Sequence, residues 1–168
     1  MIETRASEPT ASVDTEAFKA TMRCLASTVT VITSGAGSGA SGMTATAVCS
    51  VSVEPPSILV VVNQASRSHA LIEKAGVFAV NLLSESQVAL AKHFASKPLS
   101  ALENVAYRAG MTGVPILEGC AAHLECLVDS QARSGTHSVF FGRVISVQDS
   151  ASRPLLYWQG RFTGLGAA

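Results

Sequence analysis

The sequence predicts a mainly β fold, in which an antiparallel sheet curls into a barrel and helices lie at its periphery. Three observations support this prediction. Segments with the two-residue period of a strand outnumber segments with helical periodicity, adjacent strands are mostly joined by loops, and the helical segments stand in isolated positions. A chain of 168 residues is long enough for one domain with a sizeable core and too short for two ordinary ones.

Local patterns predict the N-terminal elements. Residues 1–13 are polar and lack periodicity, so we expect a flexible N-terminal arm followed by a single domain over residues 14–168. Asp14 is predicted to cap a helix whose apolar stripe packs into the core. The β-branched segment Ser27–Ser34 predicts the first strand. The helical stripe consists of Phe18, Met22, Leu25 and Ala26.

The segment Gly35–Gly42 contains the spacing G-x-G-x-x-G at Gly37, Gly39 and Gly42. A dinucleotide-binding loop of this kind opens a helix and is followed about twenty residues later by an acidic residue that binds the ribose. Here the following residues alternate as a strand, and the acidic residue is missing from the required place. We therefore predict a hairpin loop between antiparallel strands and reject a Rossmann site.

The stretch Gly42–Asn63 organises the chain. Hydroxyl and apolar residues alternate from Thr44 to Val53, which predicts one strand with its apolar face in the core. Pro55 and Pro56 end this strand, and the aliphatic run Ser57–Asn63 predicts the next one. The small hydroxyl side chains leave room for a flat ligand with polar edges. An ordinary half-exposed strand would show the same alternation.

Gln64–Gly76 predicts a short helix that begins with Ser66, Arg67, Ser68 and His69. A helix N-terminus flanked by hydroxyls and a guanidinium is suited to bind a phosphate. The alternative is an ordinary N-capped surface helix with Arg67 in solvent.

Three further elements follow from local signals. Ser84–Gln87 has the pattern of a capping box and predicts a helix that runs through Ala95. Pro98–Glu118 has weak periodicity, so we expect a long irregular loop outside the core. Ala121–Asp129 alternates cleanly and is predicted to pair with His137–Val147 across a turn at residues 133–135.

Composition excludes several classes of function. The chain is 48% hydrophobic and 14% charged, and its formal net charge is zero, which argues against nucleic acid or a membrane surface as the main partner. The longest apolar run, Ile58–Val62, is far too short to cross a bilayer. The N-terminal region shows no signal peptide. We therefore expect a cytoplasmic protein, and the low charge indicates surface hidden in an oligomer.

The four cysteines indicate neither a disulfide framework nor a metal site. They include no C-x-x-C pair and are expected to be small core residues. His123 lies between Cys120 and Cys126, but in a strand it points away from both, so the three side chains cannot converge without a bend. The other two cysteines are Cys24 and Cys49.

Three segments carry a resemblance to a known family, and they are GMTATAVCSVSVEPPSILVVVNQASRSH, SGTHSVFFGRVISV and PLLYWQGRF. The first is similar to the flavin-binding segment of the flavin reductase-like family, the short reductase components of two-component flavin monooxygenases. SGTHSVFFGRVISV resembles its Gly-Asp-His segment, and PLLYWQGRF resembles its closing motif. The resemblance covers roughly Phe18 to Leu165 in order.

The resemblance implies a split-barrel flavin-binding fold, a homodimer with flavin at or near the interface, and hydride transfer from NADH or NADPH to FMN, with FAD as the other candidate. Reduced flavin would then pass to a partner monooxygenase. The implied contacts to the isoalloxazine and ribityl groups are Thr44, Ala45, Thr46, Ser50, Val51 and Ser52, and those towards the phosphate are Asn63, Ser66 and Ser68.

The resemblance also implies that His137 lies beside the nicotinamide and positions it. The sequence departs from the family at Thr136, where Asp is common, and at Phe162, which is often Tyr. Tyr157 and Arg161 are further candidate contacts, although packing of a C-terminal strand explains them nearly as well. Two alternatives stay open. One is a split-barrel protein that stores or senses flavin or haem, and the other is an oxidase of the pyridoxamine-phosphate type, which should show a richer basic cluster.

Overall fold

A computed structural model describes residues 12–96 and 102–166 of the chain. Within these ranges the strands pair antiparallel throughout and the helices lie outside the sheets, which confirms the predicted mainly β fold. No helix in the described ranges is long and apolar enough to cross a membrane. Residues 1–11 of the predicted N-terminal arm lie outside the described residues. The helices are α1 (Thr15–Met22), α2 (Arg67–Ala75) and α3 (Val88–Ala95), and the strands are β1 (Ser27–Thr28), β2 (Thr30–Ser34), β3 (Ser41–Ala45), β4 (Val48–Val53), β5 (Pro56–Asn63), β6 (Val77–Leu82), β7 (Tyr107–Ala109), β8 (Pro115–Leu117), β9 (Ala122–Ser134), β10 (His137–Asp149), β11 (Leu156–Trp158) and β12 (Arg161–Thr163).

The largest sheet has seven strands in the order β3-β2-β6-β9-β10-β5-β4. If it were flat, its two edge strands would lie about 29 Å apart at the usual strand spacing. Yet β3 and β4 are joined only through Thr46 and Ala47, a link that reaches at most about 11 Å. The sheet must therefore curl until its edges come close together. Its hydrogen-bond ladder stays open between these edges, so the barrel is split there.

Apolar side chains fill the barrel and a second layer outside it. The core inside the barrel is built around Val60, Phe78, Cys126 and Phe140, all of them buried. The second cluster packs α3 and the C-terminal region against the outside of the sheet. Its buried members are Val29, Val31, Leu83, Ala91, Phe94, Leu117, Cys120 and Leu155.

The predicted single strand from Thr44 to Val53 is wrong. The chain leaves β3 after Ala45 and crosses to the other edge of the sheet. There Ala47 O accepts a hydrogen bond from the amide of Val61 on β5 before β4 begins. The expected burial of the apolar set is also wrong, because β4 is an edge strand. Val51 is 48% and Val53 86% exposed. The predicted strand Ser27–Ser34 likewise divides, and β1 pairs with β11 in a separate three-stranded sheet.

The predicted helix cap of α1 is confirmed, but the predicted core packing of this helix is not. The carboxylate of Asp14 accepts hydrogen bonds from the amides of Glu16 and Ala17 at 3.0 and 2.9 Å. The apolar stripe is exposed in the single chain, with Phe18 at 54%, Met22 at 44% and Leu25 at 57%. The end of the helix is held by a bond from Gln159 N to Arg23 O, yet the described residues bury none of its side chains.

The cysteines divide between core and surface. Cys120 and Cys126 are buried, as predicted, and burial raises the pKa of their thiols to about 11 and about 12. Cys24 and Cys49 are exposed, so their predicted place in the core is wrong. The reason is that α1 and β4, which border or contain them, lie uncovered on the surface of the single chain.

The predicted irregular loop Pro98–Glu118 contains a hairpin. Residues 97–101 lie outside the described residues, and β7 pairs with β8 further on. Val114 and Ile116 are buried, so the expectation that this segment stays outside the core is wrong. Asn81 helps to hold it, because its buried amide accepts a bond from Leu117 N at 2.8 Å and donates one to Val31 O at 3.1 Å.

The buried carboxylate of Glu125 anchors the loop between β7 and β8. It accepts bonds from Met111 N at 2.8 Å and from the amide and hydroxyl of Thr112 at 2.6 Å each. Desolvation alone would raise the pKa of Glu125, but the bonds from Thr112 and Met111 and the charge of Arg108 outweigh it, so the pKa lies below its ordinary value.

We predict that Glu125→Gln lowers the free energy of unfolding by about 1–3 kcal/mol at pH 7, because an amide cannot accept all three bonds. A depressed pKa means that the carboxylate stabilises the fold above its unfolded-state pKa of roughly 4.3 and loses this effect as the pH falls through the folded-state value. Urea unfolding at pH 7 and pH 3 should therefore show a smaller pH dependence in the variant. Exposed Glu118→Gln is the control, and equal pH dependence in all three proteins would contradict the prediction.

Gly42 allows α3 to lie directly on β3. The predicted hairpin loop is confirmed, since β2 pairs with β3 through a 3-10 turn at Gly37–Gly39. A Cβ atom at Gly42 would stand 2.6 Å from the ring of buried Phe94 on α3, whereas one at Gly39 would meet no atom within 4 Å.

We predict that Gly42→Ala costs about 1–3 kcal/mol of folding free energy, since the added methyl group would displace the buried ring of Phe94 from its packed position. Gly39→Ala, in the same loop, should stay within about 0.5 kcal/mol of wild type. Thermal unfolding of the two variants measures the difference. Equal melting temperatures would show that α3 tolerates displacement from β3.

Candidate active site

Two adjoining cavities lie beside β3, next to the split in the barrel. The larger has a volume of about 520 Å³ and the smaller about 220 Å³, and they share Thr44 and Ala95. The volume of the larger cavity is typical of pockets for small molecules. The large cavity is lined by Val29, Thr44, Ala45, Thr46, Lys92, Ala95, Ser96, Tyr157, Gly160 and Phe162. The small cavity is lined by Ser41, Gly42, Met43, Thr44, Asn63, Ala65, Ser66, Arg67, Ser68, Phe94 and Ala95.

Most of the residues expected to bind cofactor meet at these cavities. Ala45, Thr46 and Tyr157 line the large one, Asn63, Ser66 and Ser68 line the small one, and Thr44 lines both. The remaining three expected residues are Ser50, Val51 and Ser52, which lie on the exposed edge strand β4. In the described part of the chain they line neither cavity.

Thr44 connects the two cavities and also fixes α3. Its hydroxyl donates a hydrogen bond to Ala91 O at 2.7 Å. The hydroxyl proton is thus engaged within the protein, and towards a ligand the side chain can act only as an acceptor. The alternating hydroxyl groups of this segment therefore do not all act as hydrogen-bond donors towards a ligand.

The small cavity offers hydrogen-bond donors to an anion. Asn63 Oδ1 accepts a bond from Ala65 N at 2.8 Å, and Ser66 Oγ caps α2 by accepting one from His69 N at 3.1 Å. Both bonds use acceptor atoms, so the Asn63 amide N–H groups and the Ser66 hydroxyl proton can still donate. Arg67 and the N-terminus of α2 add positive potential at the same place. Ser66 therefore caps α2, and the cap leaves these donors available to an anion.

The large cavity combines aromatic walls with a cation. The rings of Tyr157 and Phe162 meet edge to face with centroids 5.4 Å apart. Lys92 reaches the cavity from the last turn of α3. The spacing of Lys92, Ala95 and Ser96 at i, i+3 and i+4 places them on one helix face. This spacing in the sequence could have indicated that the three residues form one wall of the large cavity.

His137 lies at the end of the site marked by the small cavity, although the described residues place it in the lining of neither cavity. It begins β10 directly opposite Asn63 on β5. Its Nδ1 atom lies 2.9 Å from Thr136 Oγ1, so the hydroxyl at the position where the family often has Asp contacts the imidazole. The His137 carbonyl accepts a bond from Gln64 Nε2 at 3.0 Å.

Comparison with known proteins assigns the chain to a family. The Flavin reductase like domain matches residues 22–166. The reductase subunit HsaB of a flavin-dependent monooxygenase from Rhodococcus jostii is 33% identical, over 92% of this chain and 80% of that protein. FMN reductase (NADH) RutF from Stutzerimonas stutzeri is 34% identical, over 96% of this chain and 95% of that protein. NADH:FAD oxidoreductase SgcE6 from Streptomyces globisporus, solved with NAD and FAD fragments, superposes with a TM-score of 0.86 at 31% identity, over 94% of this chain and 98% of that one. With these matches spanning nearly its whole length, the chain belongs to the flavin reductase like domain family.

Proposed function

We propose that this protein reduces flavin with NADH or NADPH and supplies reduced flavin to a flavin-dependent monooxygenase. The observation that carries the proposal is the pair of adjoining cavities, one with donors for a phosphate and the other with aromatic walls and a cation. The relatives named as FMN reductase (NADH) and NADH:FAD oxidoreductase support NADH as donor and either FMN or FAD as acceptor.

In this proposal the small cavity holds the flavin phosphate. Asn63, Ser66 and Ser68 donate hydrogen bonds to it, and Arg67 with the N-terminus of α2 balances its charge. Phosphate binding at a helix N-terminus fixes one end of an elongated ligand. The chain then has only to direct the other end into the large cavity.

The large cavity accommodates the isoalloxazine ring against Thr44, Ala45, Thr46 and Tyr157. When bound, the flavin supplies the electron chemistry, and the protein contributes orientation and electrostatics. Lys92 brings a positive charge to this cavity, which favours the negative charge that accompanies hydride transfer to a neutral ring. His137 is proposed to position the nicotinamide. Because it lies opposite Asn63 and not in the large cavity of its own chain, it would do so for a flavin bound at the interface of a dimer.

The proposal includes a homodimer. The apolar residues of β4 and α1 are exposed in the single chain, among them Val51, Val53 and Phe18, and an uncovered apolar edge strand promotes association. A surface that pairs with itself gives a two-fold dimer. In such a dimer Ser50 and Ser52 would lie at the interface, which would explain why one chain does not bring them to its own cavities.

Localisation and domain organisation are further parts of the proposal. We place the protein in the cytoplasm, because exposed unpaired thiols such as Cys24 and Cys49 suit a reducing compartment. We assign residues 14–168 to one domain, which agrees with a family match over residues 22–166. Residues 1–13 remain assigned as an arm.

Storage or sensing of a cofactor is the second candidate function. The observation that favours it is that the described lining of both cavities omits His137. A protein that binds flavin without turning over NADH would need no group to place the nicotinamide. The two functions differ in whether bound flavin is reduced.

We predict that anaerobic mixing with FMN and NADH bleaches the flavin absorbance, and that His137→Ala slows bleaching by about tenfold or more, because positioning contributes to rate. Gln131→Ala is the control, since Gln131 is exposed on the hairpin of β9 and β10. In the described structure its side chain bonds only to Glu73. Flavin that binds but is reduced by neither NADH nor NADPH would exclude the reductase and leave the storage protein.

We also predict that the protein sediments as a dimer with twice the chain mass of 17.3 kDa. Val51→Glu should shift the sedimentation equilibrium towards monomer, because it buries a charge at the proposed interface. Met111→Glu serves as the control, since Met111 is 77% exposed on the loop between β7 and β8. A monomeric wild type would refute the homodimer, and a dimeric Val51→Glu variant would remove β4 from the interface.

A further inference from the structure

A buried polar pair lies behind the small cavity. His69 is 5% exposed and Ser138 is fully buried, and His69 Nε2 lies 2.9 Å from Ser138 Oγ. The imidazole also packs against Phe140 with ring centroids 5.2 Å apart. Within the described part of the chain, neither residue of this pair lines either cavity. Any effect of this pair on the site therefore passes through other residues.

His69 is attached to the small cavity at its backbone end. It lies in the first turn of α2, and its amide donates to Ser66 Oγ at 3.1 Å. Ser66 and Ser68 line the small cavity. The side chain of His69 extends the other way, to Ser138 on β10. His69 thus joins the first turn of α2, which faces the small cavity, to β10, which begins at His137.

Two more bonds join the same parts of the chain. Gln64 N donates to Thr136 O at 3.0 Å, and Gln64 Nε2 donates to His137 O at 3.0 Å. Thr136 and His137 therefore hold Gln64, in the segment between β5 and α2, and the next residue, Ser138, holds His69 on α2. The bond between His69 and Ser138 is buried, whereas the side-chain bond of Gln64 is only partly buried.

A directional bond has an effect that apolar packing lacks. An apolar pair at this place would fill the same space but would let α2 rotate or slide slightly about its axis. A hydrogen bond between two buried polar groups requires a narrow range of distance and angle, and breaking it leaves both groups unpaired in a medium of low polarity. The pair therefore fixes the orientation of the first turn of α2.

We propose that His69 is a positioning residue, which through its buried bond to Ser138 holds the first turn of α2 in the orientation that selects flavins carrying a phosphate. The inference rests on the proposed placement of the flavin phosphate in the small cavity. Its consequence is selectivity, because the hydroxyl of Ser66 and the amide groups at the start of α2 converge on one point only when the helix is held in register.

The test compares FMN with riboflavin, which has the same ring and ribityl chain without the phosphate. Quenching of flavin fluorescence without nicotinamide gives both Kd values, and the Kd of riboflavin divided by that of FMN is the selectivity ratio. We expect His69→Phe, which keeps a ring against Phe140, to lower the ratio about tenfold. Ser138→Ala should lower it similarly, and the double variant should be no worse than either single one. His69→Gln, which can still bond to Ser138, should restore part of the ratio.

A matched control separates positioning from general stability. Thr33 is fully buried, and its hydroxyl donates to Pro115 O away from both cavities. Thr33→Val removes two buried bonds, the one to Pro115 O and the one that the hydroxyl accepts from Asn81 Nδ2 at 3.1 Å, so it should lower the melting temperature while leaving the selectivity ratio unchanged. A ratio that falls in Thr33→Val as far as in His69→Phe would overturn the inference, because loss of stability alone would then explain it.

The remaining outcomes are distinct. Wild-type selectivity that persists in both His69→Phe and Ser138→Ala overturns the role of His69 and leaves the reductase intact. Equal wild-type affinity for FMN and riboflavin overturns the phosphate placement and the inference together. Absence of NADH-driven bleaching refutes the reductase without touching these ratios, since they are measured without nicotinamide.

Discussion

The short link between β3 and β4 is the constraint on which the rest of the structure depends. Thr46 and Ala47 join the two edges of a seven-stranded sheet, and so short a link forces the sheet to curl. Because the two edges approach without completing the ladder, the barrel has an opening bordered by backbone and small side chains. The cavities lie along β3 beside this opening, so the position of the site follows from the way the sheet fails to close.

Hydrogen bonds of polar side chains hold the walls of the site in place. Thr44 binds the last turns of α3 through Ala91 O, and His69 binds α2 to β10 through Ser138. Each of these bonds joins a helix outside the sheet to a strand within it, at a point where apolar packing alone would fix distance but not orientation. The sequence marks these positions only as polar residues within apolar surroundings.

Local signals made much of the fold predictable. The cap at Asp14, the box at Ser84–Gln87 and the hairpin loop at Gly35–Gly42 each depend on residues a few positions apart, and each forms. The break after Ala45 could not be read in this way, because the alternation of residue types continues through it while the sheet as a whole determines where the strand ends. The position of Lys92 in the large cavity was not predicted for a related reason, because it depends on the packing of α3 against β3.

The two surfaces whose burial was predicted wrongly share one physical explanation. The stripe of α1 and the apolar face of β4 have the periodicity of buried elements, yet both are exposed in the single chain. A helix of eight residues is marginal in water unless its apolar face is covered, and an apolar edge strand attracts another chain. Burial of these two surfaces in the proposed dimer would account for the periodicity. On this argument the sequence pattern describes the proposed dimer, and Ser50 and Ser52, which one chain leaves away from the cavities, belong to the surface that a second copy would cover.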